Sequence, residues 1–156
     1  MGIWLSCKDS DIDFSSSYAF WDKIRHSIVK SFMSFINDWI NNNSFNEGET
    51  IEWNYYEELK QLVIDFNNTK EPNIDNYINL FKKYVNALSC FGFVGVFTLV
   101  NKEDTDSYYS GGNAKDIYEL LETIHRYIDA EIYVSIMKVK EVFEYSCSSG
   151  ESVRVS

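Results

Sequence analysis

The sequence predicts an α/β or α+β domain: a small three-stranded, mostly parallel sheet (about 2–7, 92–100 and 152–155) packed with about five helices (about 17–41, 54–67, 74–89, 113–129 and 132–146). Three observations predict it. Apolar residues recur at three- and four-residue spacing through long parts of the chain, as in helices buried on one side. Between them lies one short run, Phe91-Gly92-Phe93-Val94-Gly95-Val96-Phe97-Thr98-Leu99-Val100, which is apolar on both parities and rich in β-branched and aromatic residues. That pattern fits a strand covered on both faces. Long helical stretches separate the strand candidates, and such connections usually join parallel strands.

The elements follow in order. Gly2 to Cys7 is short and largely apolar, a first strand. Asp9, Asp11 and Asp13 alternate with Ser10 and Ile12 in an acidic loop, and Ser15-Ser16-Ser17 offers a helix cap. From Tyr18 to Ile40 the set Trp21, Ile24, Ile28, Phe32, Phe35, Ile36 and Trp39 keeps helical spacing, and Asn41 to Gly48 closes that helix with turn-forming residues. Tyr55, Leu59, Leu62, Val63 and Phe66 mark a second helix, with an extended alternative for Thr50 to Trp53. Pro72, the one proline, separates it from a third helix carrying Tyr77, Ile78, Phe81, Tyr84, Val85 and Leu88. After the apolar run come an acidic loop and Ser110-Gly111-Gly112. Asn113 is placed to cap a helix bearing Ala114, Ile117, Leu120, Leu121, Ile124 and Ile128. Residues 132–146 alternate in part like a strand, but Lys138, Lys140, Glu141 and Glu144 favour a helix. Gly150 ends it, and Ser152 to Val155 forms a last strand.

A length of 156 residues suits one domain. Hydrophobic content of 45% and aromatic content of 17% of the chain argue against disorder. The formal net charge of −10 disfavours nucleic acid and anionic membrane and favours a basic protein partner. Cys7, Cys90 and Cys147 are an odd, widely spaced set with no secretory leader ahead of them, which points to a reducing, cytoplasmic compartment. No apolar run reaches the ~20 residues that span a bilayer. The start Met1 to Cys7 matches a loose N-myristoylation pattern, so membrane contact is expected only if Gly2 is acylated. No pattern in the chain bears on oligomeric state.

Candidate chemistry concentrates in acidic loops. Carboxylates from Asp9, Asp11, Asp13, Asp104 and Asp106 are the oxygen ligands that Mg²⁺ or Ca²⁺ takes, and a parallel sheet would bring both loops to one edge. The calcium-loop pattern fails, however: Phe14 and Phe20 stand where the turn glycine and the bidentate glutamate belong. The Gly-Gly pair before a helix, with Lys115 nearby, carries neither a Walker nor a dinucleotide motif and reads as a hinge. His26 and His125 lie in no zinc spacing, and no local pattern joins either one to Cys7 or Cys90 as a nucleophilic pair. The loop bearing Glu103, Asp104, Asp106, Tyr108 and Tyr109 is different, because tyrosine beside carboxylates suits protein recognition.

Val100 to Ser110, followed by Ala114 and Ile117, resembles a family of small uncharacterised proteins in which an apolar strand leads into V-N-H-S-D-C-x-G-x-Y-S and a helix. Met1-Gly2-Ile3, Ser6-Cys7 and Val153 to Ser156 are similar as well. The resemblance implies three strands and no established activity. This chain departs from the pattern at Lys102, Glu103, Thr105 and Ser107, which replace His, Ser, Cys and Gly. The resulting expectation is a non-catalytic acidic binding module without a cofactor, such as an inhibitor or immunity-type protein. The alternative is a divalent-metal-dependent enzyme or metal-binding domain using the acidic loops.

Overall fold

The computed structural model describes residues 2–48, 50–101 and 107–156. Among them, strands β1 (Gly2–Cys7) and β2 (Asp13–Ser17) are followed by helices α1 (Tyr18–Asn42), α2 (Ile51–Asn67), α3 (Ile74–Lys83), α4 (Val85–Cys90) and α5 (Gly95–Val100). Strand β3 (Ser107–Tyr109), helices α6 (Gly111–Ile124) and α7 (Ala130–Ser149), and strand β4 (Val153–Val155) complete the chain. The fold is mixed α and β, mostly helical, with one small sheet.

Helix α1 is the longest element. Ser17 opens it by accepting a hydrogen bond from the Phe20 amide at 3.2 Å. No glycine or proline interrupts it, and Trp21, Ile24, Ile28, Phe32 and Ile36 form a fully buried stripe along its length. Thr50 caps α2, so the helix starts before residue 54 and the extended alternative does not form. Tyr84, at φ −112° and ψ 19°, divides the helix expected at 74–89 into α3 and α4. Ser110, not Asn113, caps α6, because its side chain accepts from the Asn113 amide at 3.3 Å. This helix stops at Ile124 and passes into a short 3-10 turn, His125–Tyr127. Gly150, at φ +77°, ends α7.

The expected three-stranded, mostly parallel sheet is corrected in two ways. The run at 92–100 ends in a helix, Gly95–Val100: a short, almost uniformly apolar stretch carries no polar face, so its sequence does not separate helix from strand. Gly92 turns the chain at φ +76°, and α5 then buries Gly95, Val96, Leu99 and Val100 at helical spacing. A Cβ on Gly95 would lie 2.3 Å from the Asp116 carbonyl oxygen, so α5 meets the α6 backbone where only glycine fits. The sheet instead has four strands in the order β2-β1-β4-β3, each neighbouring pair antiparallel. β1 and β2 form a hairpin whose turn holds Asp9 in the left-handed region at φ 59°. The last strand then inserts between β1 and β3, and two further hydrogen bonds of 3.0 Å join Trp4 and Ser156. β1 and β3 share a direction without touching, which is why long helical connections do not produce parallel pairing here.

Strand alternation points Ile3, Leu5, Phe14, Val153 and Val155 inward, where they join the α1 stripe and Ile136, Val139 and Phe143 of α7 in one core cluster. No helix among the described residues is long and apolar enough to cross a membrane. Gly2 is paired opposite Ser17, and a Cβ there would stand 2.1 Å from the Ser16 carbonyl oxygen. The free, flexible start that acylation of Gly2 needs is therefore not what this strand provides.

Candidate functional site

The helices cover one face of the sheet and leave the other open. Because side chains alternate along a strand, each buried residue is followed by one on the open face. Trp4 and Ser6 of β1, Asp13 and Ser15 of β2, Arg154 of β4 and Tyr108 of β3 occupy that face. The register lines up Asp13, Ser6, Arg154 and Tyr108 across the four strands, with Trp4 opposite Ser15 in the next row. Trp4 is 48% exposed and Tyr108 55% exposed, and they belong to the large apolar side chains that solvent reaches most freely. The indole is held in place, since Trp4 Nε1 donates to Asp13 Oδ2 at 3.0 Å. Beside this row lies a concavity of about 390 Å³ lined by Ser6, Cys7, Lys8, Tyr108, Glu151 and Arg154 among others.

Tyr108 is where an interface residue is expected to be, but Tyr109 is corrected. It is 2% exposed; its hydroxyl donates to the Leu99 carbonyl at 3.0 Å and its ring meets Phe143 edge-on at 5.3 Å. Two consecutive residues of a strand face opposite sides, so a tyrosine pair read as a loop splits into one surface and one core residue. Glu103, Asp104 and Asp106 lie outside the described residues.

Asp9 and Asp11 sit in or beside the β1–β2 turn, and Asp13 is engaged with Trp4. Among the described residues no group of three or more His, Cys, Asp or Glu side chains is placed to hold a metal ion. The expectation that both acidic loops leave one sheet edge rested on parallel strands, and the observed register removes that basis. The Asp9 turn follows Cys7, whereas β3 begins at Ser107, level with Leu5, and runs toward the Cys7 row on the opposite lateral edge of the sheet.

The thiols and imidazoles show no activated nucleophile. Cys7 is buried, donates to the Val142 carbonyl at 3.8 Å, and has its pKa raised by burial and by Glu151. Burial likewise raises Cys90 and Cys147. His26 packs edge-on against Tyr77 at 5.2 Å, and burial lowers its pKa, with Asp22 opposing. His125 stands against Tyr133. At the start of α6 the Ser110 side chain already takes one amide, and Lys115 lies 3.9 Å from Glu119.

No family model, curated protein or solved structure matches the chain. The geometry of the open sheet face is therefore what a functional reading rests on. Sequence reasoning missed Trp4 and Arg154 as members of that face. The signal was present in the alternation Ile3-Trp4-Leu5-Ser6-Cys7 and Val153-Arg154-Val155, where the in-facing residues are apolar.

Proposed function

We propose that the protein is a non-catalytic binding module, of the inhibitor or immunity type, that docks a basic protein partner on the open face of its sheet. The observation that carries this reading is the convergence of Trp4, Tyr108 and Arg154 on a sheet face that none of the described helices covers. Tryptophan, tyrosine and arginine supply most of the anchoring residues of protein interfaces, because they bury large areas while keeping a polar end satisfied. Trp4 is pre-oriented by Asp13, which lowers the ordering cost of burying it against a partner. The net charge of −10 adds long-range attraction for a basic protein, and Glu103, Asp104 and Asp106 immediately precede β3 in sequence.

Affinity capture from the native source tests it. The tagged protein is expected to retain a basic protein that the folded double variant Trp4→Ser, Tyr108→Ser loses, and capture is expected to weaken as salt is raised. Equal capture by both forms would overturn the assignment of the sheet face.

A further inference from the structure

The sheet has an edge that no described strand covers. Among the described strands β2 pairs only with β1, and the direction of its remaining backbone groups follows from the register. Trp4 and Ser156 exchange two backbone hydrogen bonds of 3.0 Å, so Trp4 turns its amide and carbonyl toward β4. Alternate residues of an antiparallel strand turn these groups to opposite sides. Ile3 and Leu5 therefore serve β2, where Ser16 and Phe14 stand opposite them. That leaves Asp13, Ser15 and Ser17 with their backbone groups directed off the sheet. All three residues are exposed, and none of their amides donates to a described residue.

Such an edge is a template for another strand, and folded proteins commonly blunt it with lysine, proline, a bulge or a covering element. β2 reads Asp-Phe-Ser-Ser-Ser and matches β1 through five consecutive pairs without a bulge. The opposite edge offers less, because β3 spans three residues and the same alternation turns only Tyr108 of that strand outward. Charge selects what the β2 edge accepts. Asp9, Asp11 and Asp13 are exposed at its leading end, and Lys8 is the only basic residue before Lys23. A second copy would bring the same carboxylates and a net charge of −10 to the edge, whereas a basic strand is drawn to it.

We propose that an extended basic segment of the partner adds a fifth strand to β2, antiparallel like the rest of the sheet. Partner residues that hydrogen-bond to Asp13, Ser15 and Ser17 then carry their side chains on the open face, where basic ones meet the Asp13 carboxylate. The inference rests on the docking of a basic partner at that face and names how the partner attaches: main-chain hydrogen bonds along the edge, beside side-chain anchors on the face.

Amide-resolved hydrogen exchange of the full chain, with and without the peptide acetyl-Lys-Val-Lys-Val-Lys-Val-Lys-amide, tests the assignment. In the protein alone the Phe14 and Ser16 amides are expected to be protected and those of Asp13, Ser15 and Ser17 to exchange freely. Saturating peptide is expected to slow the latter three by about tenfold or more. The same peptide N-methylated at its lysines keeps the charge and loses the pairing amides, and its glutamate counterpart reverses the charge. Each is expected to bind at least about tenfold more weakly. Ser15→Pro removes an outward amide without touching the β1 ladder, so it is expected to fold, to lose the peptide and to lose the captured partner, while Ser15→Thr keeps both. If Ser15→Pro does not fold, the exchange pattern of the unaltered chain decides alone. Peptide that leaves the three amides unprotected, or that binds equally well when N-methylated, would overturn the inference. So would protection of these amides in the protein alone that grows with its concentration, which assigns the edge to a second copy. Partner capture lost in the Trp4→Ser, Tyr108→Ser variant but kept by folded Ser15→Pro would overturn the added strand and leave docking on the face standing.

Discussion

At the scale of single residues, two adjacent phenols do different work. The Tyr109 hydroxyl donates to the Leu99 carbonyl and so ties β3 to the end of α5, whereas Tyr108 stands in solvent. Tyr109→Phe is expected to cost about 1 kcal/mol in urea denaturation and Tyr108→Phe less than about 0.5 kcal/mol, because only the first leaves a buried carbonyl without its donor. A third tyrosine joins two helices: the Tyr84 hydroxyl donates to Asp65, which also accepts from Gln61 at 2.9 Å. These hydrogen bonds, that of Tyr84 first, hold the Asp65 carboxyl below its ordinary range, while burial and the same Asp65 bond push Tyr84 up to about 12. The two groups act at opposite ends of the pH scale. The depressed carboxyl contributes stability above its unfolded pKa of about 4 and loses it as pH falls through the folded value. The raised phenol contributes stability below its unfolded pKa of about 10 and loses it as pH rises toward about 12. Tyr84→Phe is therefore expected to reduce the pH dependence of the melting temperature on both limbs; an unchanged profile would show that the pair is not formed in solution.

At the scale of elements, legibility followed length and one-sided burial. α1, α2, α6 and α7 are long enough, and polar enough on one side, for helical spacing to stand out; the sequence-based ranges fall close to α1, α2 and α7, while the range 113–129 overruns α6, which ends at Ile124. α5 offers no such contrast, because its six residues, packed against α1, α3 and α6, are apolar apart from Thr98. β2 was invisible for the opposite reason: Asp-Phe-Ser-Ser-Ser buries only Phe14. β3 spans three residues, too few for alternation to register. The caps were partly readable, since Ser17 and Gly150 act as their residue types suggest, whereas Ser110 takes the place expected of Asn113. Gly95 is the test of how α5 packs. Gly95→Ala drives a methyl group onto the Asp116 carbonyl and is expected to destabilise the protein by about 1–3 kcal/mol, measured by urea denaturation. A neutral result would mean that α5 and α6 do not approach as closely as described here.

At the scale of the whole molecule, the decisive feature is the insertion of β4 between β1 and β3, which closes an antiparallel sheet from the two ends and the middle of the chain. Sequence order did not reveal it, because pairing between segments so far apart in the chain is set by tertiary packing and not by local pattern. The same insertion builds the candidate site: it places Arg154 between Ser6 and Tyr108 and sets the open row in register. Half of that site was legible, through Tyr108 and the acidic character of the chain; Trp4 and Arg154 emerge only once the strands are paired. Removing residues 153–156 takes away the sheet neighbour that β1 and β3 share, so truncation is expected to lower the melting temperature sharply in a circular dichroism melt. The measurement that bears most directly on the proposed docking face is hydrogen exchange of the isolated protein and of its complex with the captured partner. Protection is expected to rise on β1, β3 and β4 and to stay unchanged along α2 and α3. Protection confined to the helices, with the sheet unaffected, would contradict the account.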